Sequence, residues 1–372
     1  MKNRKNIKNR KDMRNKKDMK NRKDILNKNI IVFGGGTLGH IIPALEVSEE
    51  LNKNGYNVYY ICDNTKFKDI FIGKNYLEKI FYFDSPGLDR NKKLKNFVIF
   101  FVLLKTFFMI KKKVKEINPS VCIGMGGSIS TIGLFASSRF KRIIHEQNAV
   151  IGLGNKMIKG KCDLCLSGFE IPGFLNIGNP INEDLSYLNK SKTDVLVVSG
   201  SNGSKTMNDF FIDNIEEMCK MLKKDITIIT GKKYYNENIS RINEINNKIV
   251  FDRFVVRIIP FTNNMNKYYE KSYLVFARAG AGTLSEIFNH KLLSIIIPSP
   301  NVTKNHQYHN AKYYYDKEMI ELIEEKDLTI DRIRKAYDNI EINKDNMKQK
   351  MILNHNIYSR YLFISMIENL LK

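Results

Sequence analysis

The sequence contains no tryptophan in 372 residues, whereas Lys, Asn and Ile abound, a skew read as coding bias rather than function. Cysteine is scarce: Cys62, Cys122, Cys162, Cys165 and Cys219 form an odd, scattered set. Such a set argues against a disulfide framework and for a reducing cytosol. Cys162 and Cys165 make one CxxC, but zinc would need a second pair at suitable spacing, and the sequence has none. Residues 161–166 alternate like a strand, which predicts buried structural thiols there. Long apolar runs are missing too. No apolar stretch follows the basic N-terminus, so no secretory signal is expected. The longest apolar run, FVIFFVLLKTFFMI at 97–110, has 14 residues and carries Lys105, short of the roughly 20 that span a bilayer. The chain is therefore expected to touch a membrane without crossing it. Negative charge is also in deficit. Against 61 basic residues stand 39 acidic ones, leaving +22. That charge calls for nucleic acid, anionic lipid or a phosphorylated substrate.

The length suits two α/β domains, and 43% hydrophobic residues suffice for sizeable interiors. Residues 2–25 repeat a hexapeptide four times, as KNRKNI, KNRKDM, RNKKDM and KNRKDI. With Lys28 counted, and Asp12, Asp18 and Asp24 subtracted, residues 1–28 hold +10 of the charge and the remainder +12. This segment is too poor in apolar residues to fold alone, so a disordered tail is expected, with attraction to anionic membranes as a secondary effect. NIIVF at 29–33 reads as a buried strand. Gly34-Gly35-Gly36, a helical pattern from about Ile41 to Asn52 and the strand NVYYI at 57–61 complete a β-α-β unit. Further strands are expected at 120–123 and 142–145. Gly178-Asn179-Pro180 and the polar residues 182–193 read as a linker. The pattern then restarts with DVLVVS at 194–199, the turn Gly200-Ser201-Asn202-Gly203 and a helix to about Lys223. Strands follow at 225–230, 248–252, 257–259, 273–277 and 293–297. A final helical pattern from about 345 to 372 has the character to pack back on the first domain. Alternating strands and helices predict parallel sheets covered on both faces.

Several motifs fall at strand-to-helix turns. Gly34-Gly35-Gly36-Thr37-Leu38-Gly39 lets backbone N–H groups approach an anion at a helix start. It also fits the dinucleotide fingerprint, with Asp63 as the acidic partner, so a nicotinamide enzyme stays open on this motif alone. His40 follows in the first helical turn, where it either faces a cleft or packs as a capping or core histidine. A glycine turn in each half suggests a ligand held between domains. Thr283 and Glu286 have capping-box spacing, so Glu286 either caps its own helix or grips a ribose diol. His145-Glu146-Gln147-Asn148 ends a strand at a sheet edge that hosts ligands. His306 and His309 are spaced for a metal, but no carboxylate partner is evident and no metal is expected.

In this order the motifs resemble the lipid-linked N-acetylglucosaminyltransferase family of peptidoglycan synthesis, the MurG family. GGGTLGHIIPAL at 34–45, GMGGSIS at 124–130, HEQNAVIGLGNK at 145–156, GNP at 178–180, AGAGTLSE at 279–286 and HQYHNA at 306–311 carry the likeness from Asn29 onward. The resemblance implies an α/β fold of two Rossmann-like domains with a cleft between them, the GT-B type. Residues 29–182 would bind the acceptor and the membrane, 190–345 the UDP-sugar, and 346–372 would pack back as a C-terminal helix. It implies UDP-N-acetylglucosamine as donor and undecaprenyl-diphosphate-linked muramoyl-pentapeptide as acceptor. Inversion to a β-1,4 linkage is expected with no cofactor or metal, at the cytoplasmic face of the membrane and with no nucleic-acid partner. Carried over residue by residue, donor contacts are Thr37, Leu38, Gly39, Asn148, Ser201, Thr262, Ala281, Gly282, Thr283, Leu284, Ser285, Glu286 and Gln307, with His40 as the base. Three places depart from the family pattern. Leu38 replaces a glycine, Ile181 and Asn182 stand where an arginine follows GNP, and SGSNGS replaces GGSQGA. Two other readings remain on sequence grounds: a different UDP-sugar enzyme on the same scaffold, such as a glycolipid galactosyltransferase or an epimerase, and a basic nucleic-acid-binding protein.

Overall fold

The computed structural model describes residues 27–63, 67–87, 93–181, 192–200, 203–241, 248–251, 253–354, 358 and 360–372. The expected tail, apart from its last two residues, and most of the expected linker lie outside them, as does Ser201. The first domain runs β1 (Asn29–Phe33), α1 (Leu38–Lys53), β2 (Asn57–Asp63), β3 (Leu77–Phe83), α2 (Lys93–Ile117), β4 (Val121–Gly124), α3 (Ser128–Ala136), β5 (Lys141–Glu146), α4 (Leu153–Ile158), β6 (Leu164–Ser167) and β7 (Leu175–Asn176). Its strands are parallel, in the order β3-β2-β1-β4-β5-β6-β7. Ile30, Ile31, Val32 and Phe33 of β1 alternate between two buried clusters, one on each face of the sheet. That burial on both faces explains why β1 is apolar without a break.

The second domain holds β8 (Asp194–Val198), α5 (Lys205–Asp213), α6 (Ile215–Leu222), β9 (Ile226–Ile229), α7 (Tyr235–Ser240), β10 (Lys248–Phe251), β11 (Phe254–Ile259), α8 (Asn266–Tyr269), β12 (Ser272–Ala277), α9 (Ala281–Asn289), β13 (Leu293–Ile296), α10 (His306–Tyr315), β14 (Glu321–Leu322) and α11 (Ile330–Asn354). Its order is β10-β11-β9-β8-β12-β13-β14, with only the β10–β11 pair antiparallel. Helix α12 (Arg360–Leu370) closes the chain.

Four details differ from the sequence reading. The helix expected to reach Lys223 is two helices, α5 and α6. They break at Asn214, whose side-chain amide donates 2.8 Å to the Phe210 carbonyl and competes with the helix ladder. Strand β3 was not foreseen. Cys162 and Cys165 are half-buried rather than buried, because β6 begins only at Leu164 and Cys162 ends a helical turn. The last helical pattern starts not at 345 but at Ile330, so a boundary at 345/346 falls inside α11. Ile333, Ala336, Ile340 and Met347 of that helix belong to the second domain's core. Phe363, Ile364 and Ile367 of α12, with Tyr358, sit among the buried side chains of β1, β2 and α1. The chain therefore returns to the first domain between Asn354 and Arg360.

Candidate active site

In each sheet the chain winds outward in opposite directions from a central strand. In the first the reversal falls between β1 and β4, and in the second between β8 and β12. At such a switch point the loops leaving neighbouring strands diverge, and a crevice opens at the strands' C-terminal ends. Residues 34–37 and 125–127 line the first crevice, and residues 199, 200, 203, 204 and 278–280 the second. Helices α1 and α9, which leave these crevices, touch each other across the domain boundary.

His40 lies in the first turn of α1, after Thr37 at the N-cap and Leu38 and Gly39 at its first two positions. Its Nδ1 is 3.0 Å from the Gly35 carbonyl. Only an Nδ1–H satisfies that acceptor, so the Nε2 lone pair is left as the basic site. The other glycine loop closes on the same ring. Gly126 sits at φ +107°, and a Cβ there would lie 2.8 Å from Nε2. Only glycine allows this backbone so close to the imidazole. Burial pushes the His40 pKa down. The Gly35 carbonyl and Glu146 oppose that shift, His306 from across the cleft adds to it, and Asp63 opposes it.

Helix α9 begins after Gly280, and its side of the cleft is open: a Cβ on Gly282 would meet nothing within 4 Å. Ala281, Gly282 and Thr283 present unpaired N–H groups there. The N-cap at Gly280 places Glu286 beyond the first turn, which overturns its capping role. Glu286 instead accepts a 2.9 Å hydrogen bond from the Tyr269 hydroxyl. Burial raises its carboxyl pKa to about 7, the Tyr269 bond opposes this, and Glu46 of α1 adds to it. Leu284 is fully buried in the second domain's core, so only its backbone faces the helix start. The Ser285 hydroxyl donates to the Ala281 carbonyl at 3.0 Å. Arg278, just before α9, is buried. It forms an ion pair with Glu325, donates to the Ser204 hydroxyl and donates to the Ile297 carbonyl at 3.0 Å. Thr262, after β11, accepts from the Asn264 N–H at 3.0 Å, and Gln307 in α10 accepts from the Ser299 N–H at 2.9 Å through Oε1.

The segment 145–148 is a scaffold as much as a binding edge. Glu146 is buried, and its two oxygens accept from Asn148 N–H (3.1 Å), the Asn148 side-chain amide (3.3 Å), Gly152 N–H (2.8 Å) and the Asn155 amide (2.9 Å). A carboxylate so engaged has no lone pair to spare as a base. His145 is driven down to about 4 by burial, against its 2.9 Å bond to the Gly178 carbonyl, so it is neutral at neutral pH. Two buried asparagines bind this segment to the second domain. Asn179 donates 3.1 Å bonds to the Gln147 carbonyl and the Ser285 hydroxyl. Asn310 of α10 accepts from Ala149 N–H at 2.8 Å and donates to Asn148 Oδ1 at 3.1 Å. Both asparagines lie within motifs of the sequence, GNP and HQYHNA, but no local signal there gives either a role. Tyr269 had no signal at all, since it stands on a four-residue helix outside every motif. Among the described residues no group of three or more His, Cys, Asp and Glu side chains is arranged to hold a metal.

Two Rossmann-like domains facing each other over paired glycine loops define the GT-B fold. Residues 30–165 match the N-terminal domain of glycosyltransferase family 28 and residues 194–360 its C-terminal domain. The chain belongs to that family. It is 33% identical over 330 residues, covering 87% of this chain and 91% of the relative, to the UDP-N-acetylglucosamine–N-acetylmuramyl-(pentapeptide) pyrophosphoryl-undecaprenol N-acetylglucosamine transferase of Vesicomyosocius okutanii. Its fold matches the crystal structure of Acinetobacter baumannii MurG with a TM-score of 0.74 at 21% identity, over 92% of this chain and 99% of that one. A UDP-N-acetylglucosamine 2-epimerase of Listeria monocytogenes also shares the fold, at TM-score 0.58 and 11% identity over 90% and 93% of the two chains. The scaffold alone therefore does not separate transfer from epimerisation; the sequence relatives do.

Proposed function

We propose that this glycosyltransferase moves N-acetylglucosamine from UDP-N-acetylglucosamine to the 4-hydroxyl of lipid-linked N-acetylmuramoyl-pentapeptide, working at the cytoplasmic face of the membrane in peptidoglycan synthesis. The observation that carries this reading is the likeness to transferases of that name across both domains and the crevice between them. The nucleotide half of the donor belongs to the second domain, with Glu286 on the ribose and the start of α9 on the phosphates. Thr37, Leu38, Gly39, Asn148, Ser201, Thr262 and Gln307 complete the donor contacts.

The acceptor oxygen attacks the anomeric carbon from the face opposite UDP. The new C–O bond forms as the bond to the β-phosphate oxygen breaks, and the configuration inverts. The hydroxyl proton passes to His40 Nε2, and UDP leaves as an anion toward the N–H groups of α9, whose dipole favours that charge. A depressed His40 pKa keeps the imidazole neutral and ready to accept the proton.

The membrane contact is assigned to α2. Phe97, Val98, Phe100, Phe101, Phe108 and Met109 are exposed on it, while Ile99, Thr106, Ile110 and Val114 are buried. Exposed Lys111 and Lys112 stand at the end of this apolar face, as on a helix lying in a bilayer interface. Among the described residues no helix is long and apolar enough to cross a membrane.

The test is transfer of labelled sugar from UDP-N-acetylglucosamine to a short-chain analogue of the lipid acceptor. Product formation supports the reading. Release of 2-epimerised sugar with no glycolipid product would favour the epimerase.

A further inference from the structure

Asn310 is fully buried, and its amide orientation is dictated by two backbone groups. Oδ1 accepts from Ala149 N–H at 2.8 Å, and Nδ2 donates to the Ala279 carbonyl at 3.2 Å. A donor on one side and an acceptor on the other admit no flip. The second Nδ2 hydrogen goes to Asn148 Oδ1 at 3.1 Å. Asn148 is thereby oriented in turn. Its oxygen faces Asn310, and its Nδ2 donates one hydrogen to the Glu146 carboxylate at 3.3 Å. The other hydrogen of Nδ2 is the one donor of this side chain left for a ligand. Asn148 belongs to the first domain and Asn310 to the second, and Ala279 immediately precedes the N-cap of α9.

We propose that Asn310 is a positioning residue for the sugar end of the donor. It holds the Asn148 amide donor-first toward the cleft and in fixed register with the start of α9. The proposal rests on the donor reading above. With ribose and phosphates taken by the second domain, the group a first-domain residue can meet is the sugar being transferred. Asn310 touches no substrate itself; it acts through Asn148 and the Ala279 carbonyl.

The test measures donor KM and kcat for Asn148→Ala, Asn310→Ala and the double variant, with UDP affinity as the control because UDP lacks the sugar. Asn148→Ala is expected to raise donor KM by about tenfold. Asn310→Ala should raise it by a similar factor, the double variant should be no worse than the more affected single one, and UDP should bind all three within about twofold of the parent. Should Asn310→Ala fail to fold, Asn310→Asp takes its place, since its near-isosteric carboxyl keeps an acceptor for Ala149 N–H while removing the amide hydrogens given to Asn148 and Ala279. Three results overturn the proposal: donor KM unchanged in the Asn310 variant while Asn148→Ala raises it; fold-changes that multiply in the double variant; or UDP affinity falling in parallel with donor affinity, which marks a merely structural role. An unchanged donor KM in Asn148→Ala would instead remove Asn148 from the donor site.

Discussion

The Tyr269 hydroxyl donates a 2.9 Å hydrogen bond to Oε2 of Glu286, joining α8, which precedes the central strand β12, to α9, which follows it. This bond holds the carboxylate at the cleft and tempers the effect of burial, which alone would raise its pKa further. A carboxyl raised to about 7 is partly protonated at neutral pH, whereas two ribose hydroxyls need it ionised as a double acceptor.

Donor binding should therefore strengthen as pH rises through about 7. Stability should run the other way. A carboxyl raised in the folded state binds its proton more tightly there than in the unfolded chain, so its contribution falls as pH climbs from the ordinary carboxylate range through about 7. Glu286→Gln should abolish both trends, weakening donor binding above pH 7 while narrowing the loss of Tm between pH 5 and 8. Calorimetric titration with UDP and thermal melts across that range read the two effects. A flat UDP affinity in the parent protein would take Glu286 off the ribose.

Tyr269→Phe separates the partner from the carboxylate. The Glu286 pKa should rise further, so UDP affinity at pH 7 should drop several-fold and recover by about pH 8.5. No recovery at high pH would mean that Tyr269 acts by packing alone.

His40→Ala is expected to lower kcat by about 10²-fold or more with donor affinity little changed. In the parent enzyme the acidic limb of the kcat/KM profile should lie below the ordinary histidine value, because burial depresses this pKa. Unaltered kcat would send the search for a base to Asp63, since Glu146 has its oxygens occupied by four donors.

Arg278 and Glu325 form a buried pair, so Arg278→Ala should cost about 3–5 kcal/mol by leaving a carboxylate without its partner. Replacing both partners with apolar residues, Arg278→Met with Glu325→Leu, should recover much of that loss. Urea denaturation measures it. Equal loss in both variants would show that the hydrogen bonds to Ser204 and Ile297, not the charge, hold the site.

For the membrane face, Phe97, Phe100, Phe101 and Phe108 are all more than half exposed, so changing them to Ser should leave the fold intact. Phe107 must stay, because it packs on the first domain's core. Lys113 lies over the Phe81 ring and pairs with Glu116, so charge reversal belongs at Lys111 and Lys112. Without residues 1–28, the phenylalanine variant should lose binding to anionic vesicles, and the lysine variant should lose its salt sensitivity. Undiminished binding by the phenylalanine variant would clear α2 of membrane contact. Sugar transfer to a soluble acceptor analogue should survive in both.

Much of this protein was legible in one dimension. Apolar runs such as NIIVF and DVLVVS mark central strands because both their faces are covered, and glycines directly after them mark the crevice because only a backbone without Cβ passes so close to a ligand or a neighbouring loop. Six motifs in register were enough to expect two domains, a UDP-sugar and His40 as the base. The sequence could not say that Glu286 answers to Tyr269 rather than to its own helix end, since helix starts are decided by where the preceding strand releases the chain, not by Thr-x-x-Glu spacing. Edge strand β3 gives a weak sequence signal because its half-exposed face carries charges that blur the strand pattern, and the start of α11 is hidden because its first turns are mostly polar. Nor could any local pattern reveal that Asn310 meets Asn148, 162 residues away. That contact exists because the two domains meet across the crevice at the ends of their strands, and such docking depends on the summed shape and polarity of both surfaces rather than on the residues at either end of one hydrogen bond.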